Sequence, residues 1–176
     1  MPTAAQRPLK LPTNPARVRA TNKALFNEAR SIENADFYTV GYEGRTTGQL
    51  FQILCSAGVQ SIVDIRHTPL SRFRPELSKT NLRKLAQKRG LSYYHLREWG
   101  VPHDIRAKAL GAKTRGAIWE WYDEAVVDRF FQKNLHWFLN LEHPVALMCV
   151  EADPTECHRH RIFDALEQHG LRGFDL

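Results

Sequence analysis

An apolar run, Val145-Ala146-Leu147-Met148-Cys149-Val150, breaks into Glu151-Ala152-Asp153-Pro154-Thr155-Glu156-Cys157-His158-Arg159-His160-Arg161. Two thiols, three carboxylates, two imidazoles and two guanidinium groups therefore crowd one strand end. Cys157 is the candidate nucleophile, because a thiol in the first turn of a helix, next to His158 and Arg159, is drawn toward its thiolate. Glu151 follows a buried strand and has no capping duty, so with His158 it is a candidate for proton transfer. Arg159 is a candidate anion ligand. The junction itself reads as a helix start: Asp153 as N-cap, Pro154 at the first helical position and Glu156 completing a capping box. That reading places Cys157 and His158 in the first turns of the helix, where unpaired N–H groups favour an anion.

Two other loops carry matching chemistry. Phe37 to Tyr42 reads as a buried strand entering the glycine turn Gly41-Tyr42-Glu43-Gly44, and Ser61 to Arg66 as a second strand followed by the loop His67 to Pro75. If the strands are doubly wound, the first strand and the Val145 strand become neighbours where the winding reverses, and a crevice opens beyond their carboxyl ends. Gly41, Tyr42 and Glu43, then Asp64, Arg66, Ser71 and Arg72, then Glu151 to Arg161 would line it. Such a site suits an anionic small molecule, a nucleotide or a nucleic acid: arginines and helix amides take the phosphate, and a carboxylate acts as base or holds Mg²⁺, which makes Asp64, with Glu151, a catalytic candidate. Cys149, Cys157, His158 and His160 could also be metal ligands, but C-x7-C-H-x-H is not the spacing of ordinary zinc modules, which argues against zinc and for no metal site.

Each of these residues has a competing, purely structural assignment. Asp64 could accept hydrogen bonds from loop amides, and Asp153 is accounted for by capping. Glu151 could pair with Arg66 or Arg159. Cys149 fits a small buried apolar residue, and Cys157 could pack inward. His158 shares the stripe of Ile162 and Ala165, as a satisfied, partly buried histidine would.

The elements that must hold these groups follow from periodicity. Thr46 or Thr47 caps a helix with Leu50, Leu54 and Ala57 on one side, ended by Gly58; Ser78 caps another with Leu82, Leu85 and Ala86, ended by Gly90. Leu91 to Leu96 reads as a third strand, and residues 98 to 115 as irregular. A long helix from about Arg115 to Leu141 carries two apolar stripes, Trp119, Tyr122, Val126 and Phe130, and Val127, Phe131, Leu135 and Phe138. It must be buried on more than one side or kink midway. The last helix presents Ile162, Ala165, Leu166 and His169 before Gly170, and a final edge strand is expected near Phe174. Alternating strands and helices predict a three-layer α/β fold, Rossmann-like, with a mostly parallel sheet of four to five strands. Residues 1–35, with Pro2, Pro8, Pro12 and Pro15, read as a basic and partly disordered tail bearing at most a short helix from Asn22 to Arg30. Residues 36–176 read as one domain.

Composition narrows the function. The 176 residues carry 25 basic and 19 acidic side chains, a formal charge of +6, with an isoelectric point near 9.4. Between Arg66 and Arg89 eight basic residues face Glu76 alone, which favours an anionic partner. No apolar run reaches the roughly 18–20 residues of a membrane span, and three irregularly spaced cysteines do not form a secreted disulfide framework. A cytoplasmic chain with reduced thiols and no membrane partner is expected. The Walker loop, G-x-G-x-x-G, G-x-S-x-G and H-E-x-x-H are all absent from the sequence.

Thr39-Val40-Gly41-Tyr42, Val63-Asp64-Ile65-Arg66 with Pro69 and Ser71-Arg72, Met148-Cys149-Val150-Glu151 and Cys157-His158-Arg159 together resemble the domain of unknown function 488 family, over roughly Phe37 to Gln168. The resemblance implies a compact α/β protein and names no reaction. From the residues themselves the expectation is an enzyme acting on an anionic substrate. The alternatives are a noncatalytic nucleic-acid-binding module and a thiol- or metal-based sensor.

Overall fold

Five residues of unbroken burial, Phe37–Gly41 (β1), and five more, Val145–Cys149 (β4), form the centre of the sheet. Strands covered on both faces read as continuous apolar runs, and these two do. The computed structural model describes residues 35–111 and 115–176; the expected tail and the short helix at Asn22 to Arg30 lie outside them. The remaining strands are Ser61–Asp64 (β2), Ser92–His95 (β3) and Gly173–Asp175 (β5). All five are parallel, in the order β3-β2-β4-β1-β5. The two half-exposed strands, β3 and β5, take the edges.

Helices cover both faces. On one, Tyr38, Val40, Ile62, Ala146 and Met148 pack with Leu50, Phe51 and Leu54 of α1 (Thr47–Ser56) and Leu82 and Ala86 of α2 (Lys79–Gln87). Thr46 caps α1 as expected: its hydroxyl accepts from the Gln49 amide at 3.2 Å, while the Gln49 side chain accepts from the Thr46 amide at 2.8 Å. Ser78 stands at the start of α2, but its hydroxyl is spent on Ser71 and caps nothing.

On the other face, Phe37, Val63, Ile65, Val145, Leu147 and Cys149 meet the helical stretch after β3 and the last helix. After a short turn at Arg97–Trp99, that stretch begins with α3, His103–Gly111. The sequence reading of 98 to 115 as irregular missed this helix because α3 has no apolar stripe; Ala109 is buried and Ile105 only partly. Gly116–Tyr122 (α4) and Gln132–Leu139 (α5) are joined without a break by a π-helical segment, Asp123–Phe131. Its wider turn re-phases the helix, and Tyr122 before it, Val126 and Phe131 within it and Phe138 after it all enter the same core, with Val127 and Leu135 packed partly against it.

The last helix, α6, spans Arg159–Gln168, with Ile162, Ala165 and Leu166 buried. Here the expectation needs correcting. Asp153 does cap with Pro154 behind it, accepting from the Thr155 amide at 2.8 Å, but the turn it starts is a short 3-10 segment, Pro154–Glu156. The Glu156 carboxylate pairs with Arg115. Cys157 and His158 therefore precede α6 instead of lying in its first turn. Among the described residues no helix is long and apolar enough to cross a membrane.

Gly41 shows how tightly the strand ends are drawn together. A Cβ there would lie 1.8 Å from the Glu151 carbonyl oxygen, so β1 and the loop after β4 approach backbone to backbone. Gly41→Ala should therefore cost about 1–3 kcal/mol, as overpacking of rigid parts does, read as a lowered denaturation midpoint at unchanged m-value.

Candidate functional site

Pairing of β4 with β1 on one side and β2 on the other aligns Gly41 with Cys149 and Asp64 with Met148. Three loops therefore leave the sheet side by side. The Glu43 amide donates to the Val150 carbonyl at 2.9 Å, and the Glu43 carboxylate accepts from the Ala152 amide at 3.1 Å, so the glycine turn clamps the loop after β4.

At the end of β2 lies a buried ionic knot. Both carboxylate oxygens of Asp64 are engaged: Oδ1 accepts from the Arg66 amide at 3.1 Å and Arg66 Nε at 2.8 Å, and Oδ2 accepts from Arg66 Nη2 at 2.6 Å and the Tyr93 hydroxyl at 2.6 Å. Arg66 also donates to the Leu77 carbonyl and the Tyr42 hydroxyl. Burial works against the Arg66 charge, yet the bidentate Asp64 carboxylate more than offsets it and raises the guanidinium pKa further. Burial, then Asp64, pushes the Tyr93 hydroxyl up, and burial does the same for Tyr42. With all four of its acceptor positions used, Asp64 holds the buried Arg66 in place.

At the end of β4 lies a second cluster. Cys149, Cys157 and His158 are buried, and their ligand atoms lie within 4.8 Å of one another. Cys149 Sγ is 3.8 Å from His158 Nδ1 and 3.9 Å from Nε2, and Cys157 Sγ is 3.9 Å from Nδ1. The Cys149 thiol faces Glu151 Oε2 at 3.3 Å, while His158 Nε2 lies 3.2 Å from the Ile65 carbonyl, to which it donates. Burial, then the neighbouring Cys157 and Glu151, keeps Cys149 a thiol. Burial opposes ionisation of Cys157 as well, but the Cys149 thiol and His158 outweigh it and bring Cys157 below the usual thiol range. Burial likewise opposes the Glu151 charge, and hydrogen bonding from Cys157 and the local backbone, with His158 nearby, lowers its pKa overall.

Beside the end of β2 is a cleft of about 180 Å³ lined by Tyr42, Arg66, His67, Thr68, Leu70, Val101, His103, Arg106 and Val150. Its lining holds two arginines and two histidines and no carboxylate. Burial, followed by Arg97 and Arg106, keeps the His67 pKa below the ordinary histidine value. The cleft's inner wall is chain-adjacent to both clusters: Val150 separates Cys149 from Glu151, and Arg66 follows Ile65.

Residues 46–166 match the family described as Domain of unknown function DUF488. The chain belongs to this family. The match takes in β2, β3, β4 and most of α6, and with them Asp64, Arg66, the cleft residues of α3 and the Cys149 to Arg159 segment; Gly41 to Glu43 precede it. No curated protein and no solved structure matches the chain.

Of the residues singled out from sequence, Tyr42 and Arg66 line the cleft, and Glu151, Cys157 and His158 meet beside Cys149. Others stand apart. Arg159 is buried with its guanidinium turned to the framework: it donates to Glu151 O, to Ala152 O at 2.9 Å and to the Thr39 hydroxyl at 3.3 Å. Glu151 thus meets Arg159 through its backbone alone, and Arg66 is taken by Asp64. Ser71 organises its own loop with Ser78 and Arg74, and Arg72 is exposed. His160 turns to the Cys157 carbonyl and the Trp119 ring. The reading missed His103 and Arg106, whose three-residue spacing puts them on one side of α3, and it missed Tyr93, whose hydroxyl no pattern tied to Asp64.

Tyr93→Phe should cost about 1.5–3 kcal/mol, the range for a hydrogen bond to a charged group, and Asp64→Asn about 3–5 kcal/mol, because it leaves the Arg66 charge buried and unpaired. Chemical denaturation of the two variants checks both magnitudes and their order.

Proposed function

We propose that this protein is an enzyme that takes a phosphate-bearing or otherwise anionic substrate in the cleft between the loops after β2 and β4. The observation that carries the reading is the lining: Arg66, His67, His103 and Arg106 converge on about 180 Å³ without one carboxylate among them. Arg66 is already desolvated and oriented by Asp64, so it loses little side-chain freedom when an anion arrives. Arg106 and the two imidazoles supply further donors, and Tyr42 and Thr68 add hydroxyls. The groups suited to react, Cys157, His158 and Glu151, follow the cleft residue Val150 along the chain, and burial of Cys157 and His158 strengthens their mutual electrostatics. Gly41 and Glu43 act here as framework, fixing the loop that presents Glu151.

A second reading, a noncatalytic nucleic-acid-binding module, draws on a different observation. Phe73 is 99% exposed in the loop after β2, between Arg72 and Arg74. An aromatic ring fully in water and flanked by guanidinium groups can stack on a nucleobase while they meet phosphates, and such stacking is worth about 1–3 kcal/mol per base.

Calorimetric titration with inorganic phosphate and with nucleoside monophosphates separates the two. The cleft reading expects both to bind, with Arg106→Ala weakening them about 10–100-fold through loss of a charge-assisted hydrogen bond and Phe73→Ala leaving them unchanged. It also expects Glu151→Gln and Cys157→Ser to retain the anion while losing turnover. Absence of binding, or affinity indifferent to Arg106, would sink it. Oligonucleotide binding lost in Phe73→Ala, with no effect of Glu151→Gln, would favour the second reading.

A further inference from the structure

Cys149, Cys157, His158 and Glu151 form a close group of titratable side chains at the end of β4 that does not line the cleft. Their polar atoms are packed at close range: Cys149 Sγ to His158 Nδ1 is 3.8 Å, Cys157 Sγ to the same nitrogen 3.9 Å, and Cys149 Sγ to Glu151 Oε2 3.3 Å. Zinc binds sulfur at about 2.3 Å and nitrogen or oxygen at about 2.0–2.2 Å, so tetrahedral angles put a sulfur roughly 3.5 Å from a neighbouring nitrogen or oxygen ligand. The two sulfur-to-nitrogen separations lie within a few tenths of an ångström of that value, and the ligand atoms of Cys149, Cys157 and His158 all lie within 4.8 Å of one another.

Two further features point the same way. His158 donates from Nε2 to the Ile65 carbonyl, which fixes the tautomer and leaves the Nδ1 lone pair for coordination. A metal-bound histidine is oriented in this manner by a backbone carbonyl or carboxylate on its other nitrogen. The second feature is charge. Among the described residues, the ion pairs are those of Arg66 with Asp64, Arg74 with Glu76, Arg115 with Glu156, Arg159 with Asp175 and Arg161 with Asp123. None reaches the Glu151 carboxylate, which sits against two buried thiols. Two buried thiols and a half-buried carboxylate that can each become an anion, with one imidazole among them, are costly to ionise together unless a cation joins them.

We propose that Cys149, Cys157 and His158, through Nδ1, bind one Zn²⁺ at the end of β4, with Glu151 Oε2, 3.3 Å from Cys149 Sγ, beside them as an outer-shell partner. Binding displaces the two thiol protons to solvent. The C-x7-C-H spacing hides the site, because one ligand ends a strand and two others precede a helix. His160, the fourth ligand that spacing alone would nominate, points away to the Cys157 carbonyl. The site does not depend on the anion reading of the cleft.

The test uses the full chain. Elemental analysis of protein purified from zinc-supplemented culture should give one zinc per chain. After removal with a chelator, Co²⁺ titration should produce sulfur-to-cobalt charge-transfer absorption and intense visible bands of tetrahedral cobalt. Cys157→Ser should diminish the charge-transfer absorption, and Cys149→Ser should do the same. Glu151→Gln should weaken zinc, in competition with a chromophoric chelator, by roughly 10–100-fold, as loss of an outer-shell partner does. Absence of metal uptake, weak octahedral cobalt spectra without charge transfer, or zinc content unchanged in both cysteine variants would each overturn the site. Should the variants fail to fold, the cobalt spectrum of the unaltered chain decides alone. Phosphate titration of the zinc-loaded and zinc-free chain reports on the cleft separately.

Discussion

The insertion of β4 between β1 and β2 is the constraint on which everything else rests. A parallel strand there must be apolar on both faces, and Val145–Cys149 is fully buried. Its register with both neighbours brings Gly41, Asp64 and Cys149 to one end of the sheet. The loops that follow have no room to diverge: the Gly41 backbone touches that of Glu151, and Glu43 holds Ala152. The same closeness makes the end of the sheet a place where polar side chains must be satisfied by one another, since little water can reach them.

Two solutions to that problem stand side by side. At the end of β2 a carboxylate and a guanidinium neutralise each other, and Tyr93, Tyr42 and the Leu77 carbonyl take up the remaining capacity. The Asp64–Arg66 pair is closed, and its product is one oriented arginine at the cleft wall. At the end of β4 the groups are two thiols, an imidazole and a carboxylate, which cannot close on themselves in the same way. That difference leaves a closed ion pair at one strand end and a set of titratable groups at the other.

Much of this was legible in the residues. Strand-to-loop junctions at Gly41, Arg66 and Val150 are marked by apolar runs ending in glycine or charge, and the Thr46 cap and the stripes Leu50–Leu54 and Ile162–Leu166 are local signals. The failures were those of local reasoning. Asp153 and Pro154 announce a helical turn correctly, but whether it continues as α6 or stops after Glu156 depends on Arg115 taking the Glu156 carboxylate and on Cys157 being drawn into the core. α3 shows no helical apolar periodicity in its residues, and with it His103 and Arg106 escaped notice.

The sequence by itself determined the class of fold, membership of the DUF488 family through its dispersed motifs, and the three loops that meet, because burial periodicity and capping act over a few residues. Tertiary structure alone decided which polar groups face which. It paired Asp64 with Arg66 and Tyr93, turned Arg159 into a brace for backbone carbonyls, and set Glu151 against the thiols. Those choices depend on separations of a few ångströms between residues as far apart as Asp64 and Tyr93, which only strand order and register fix.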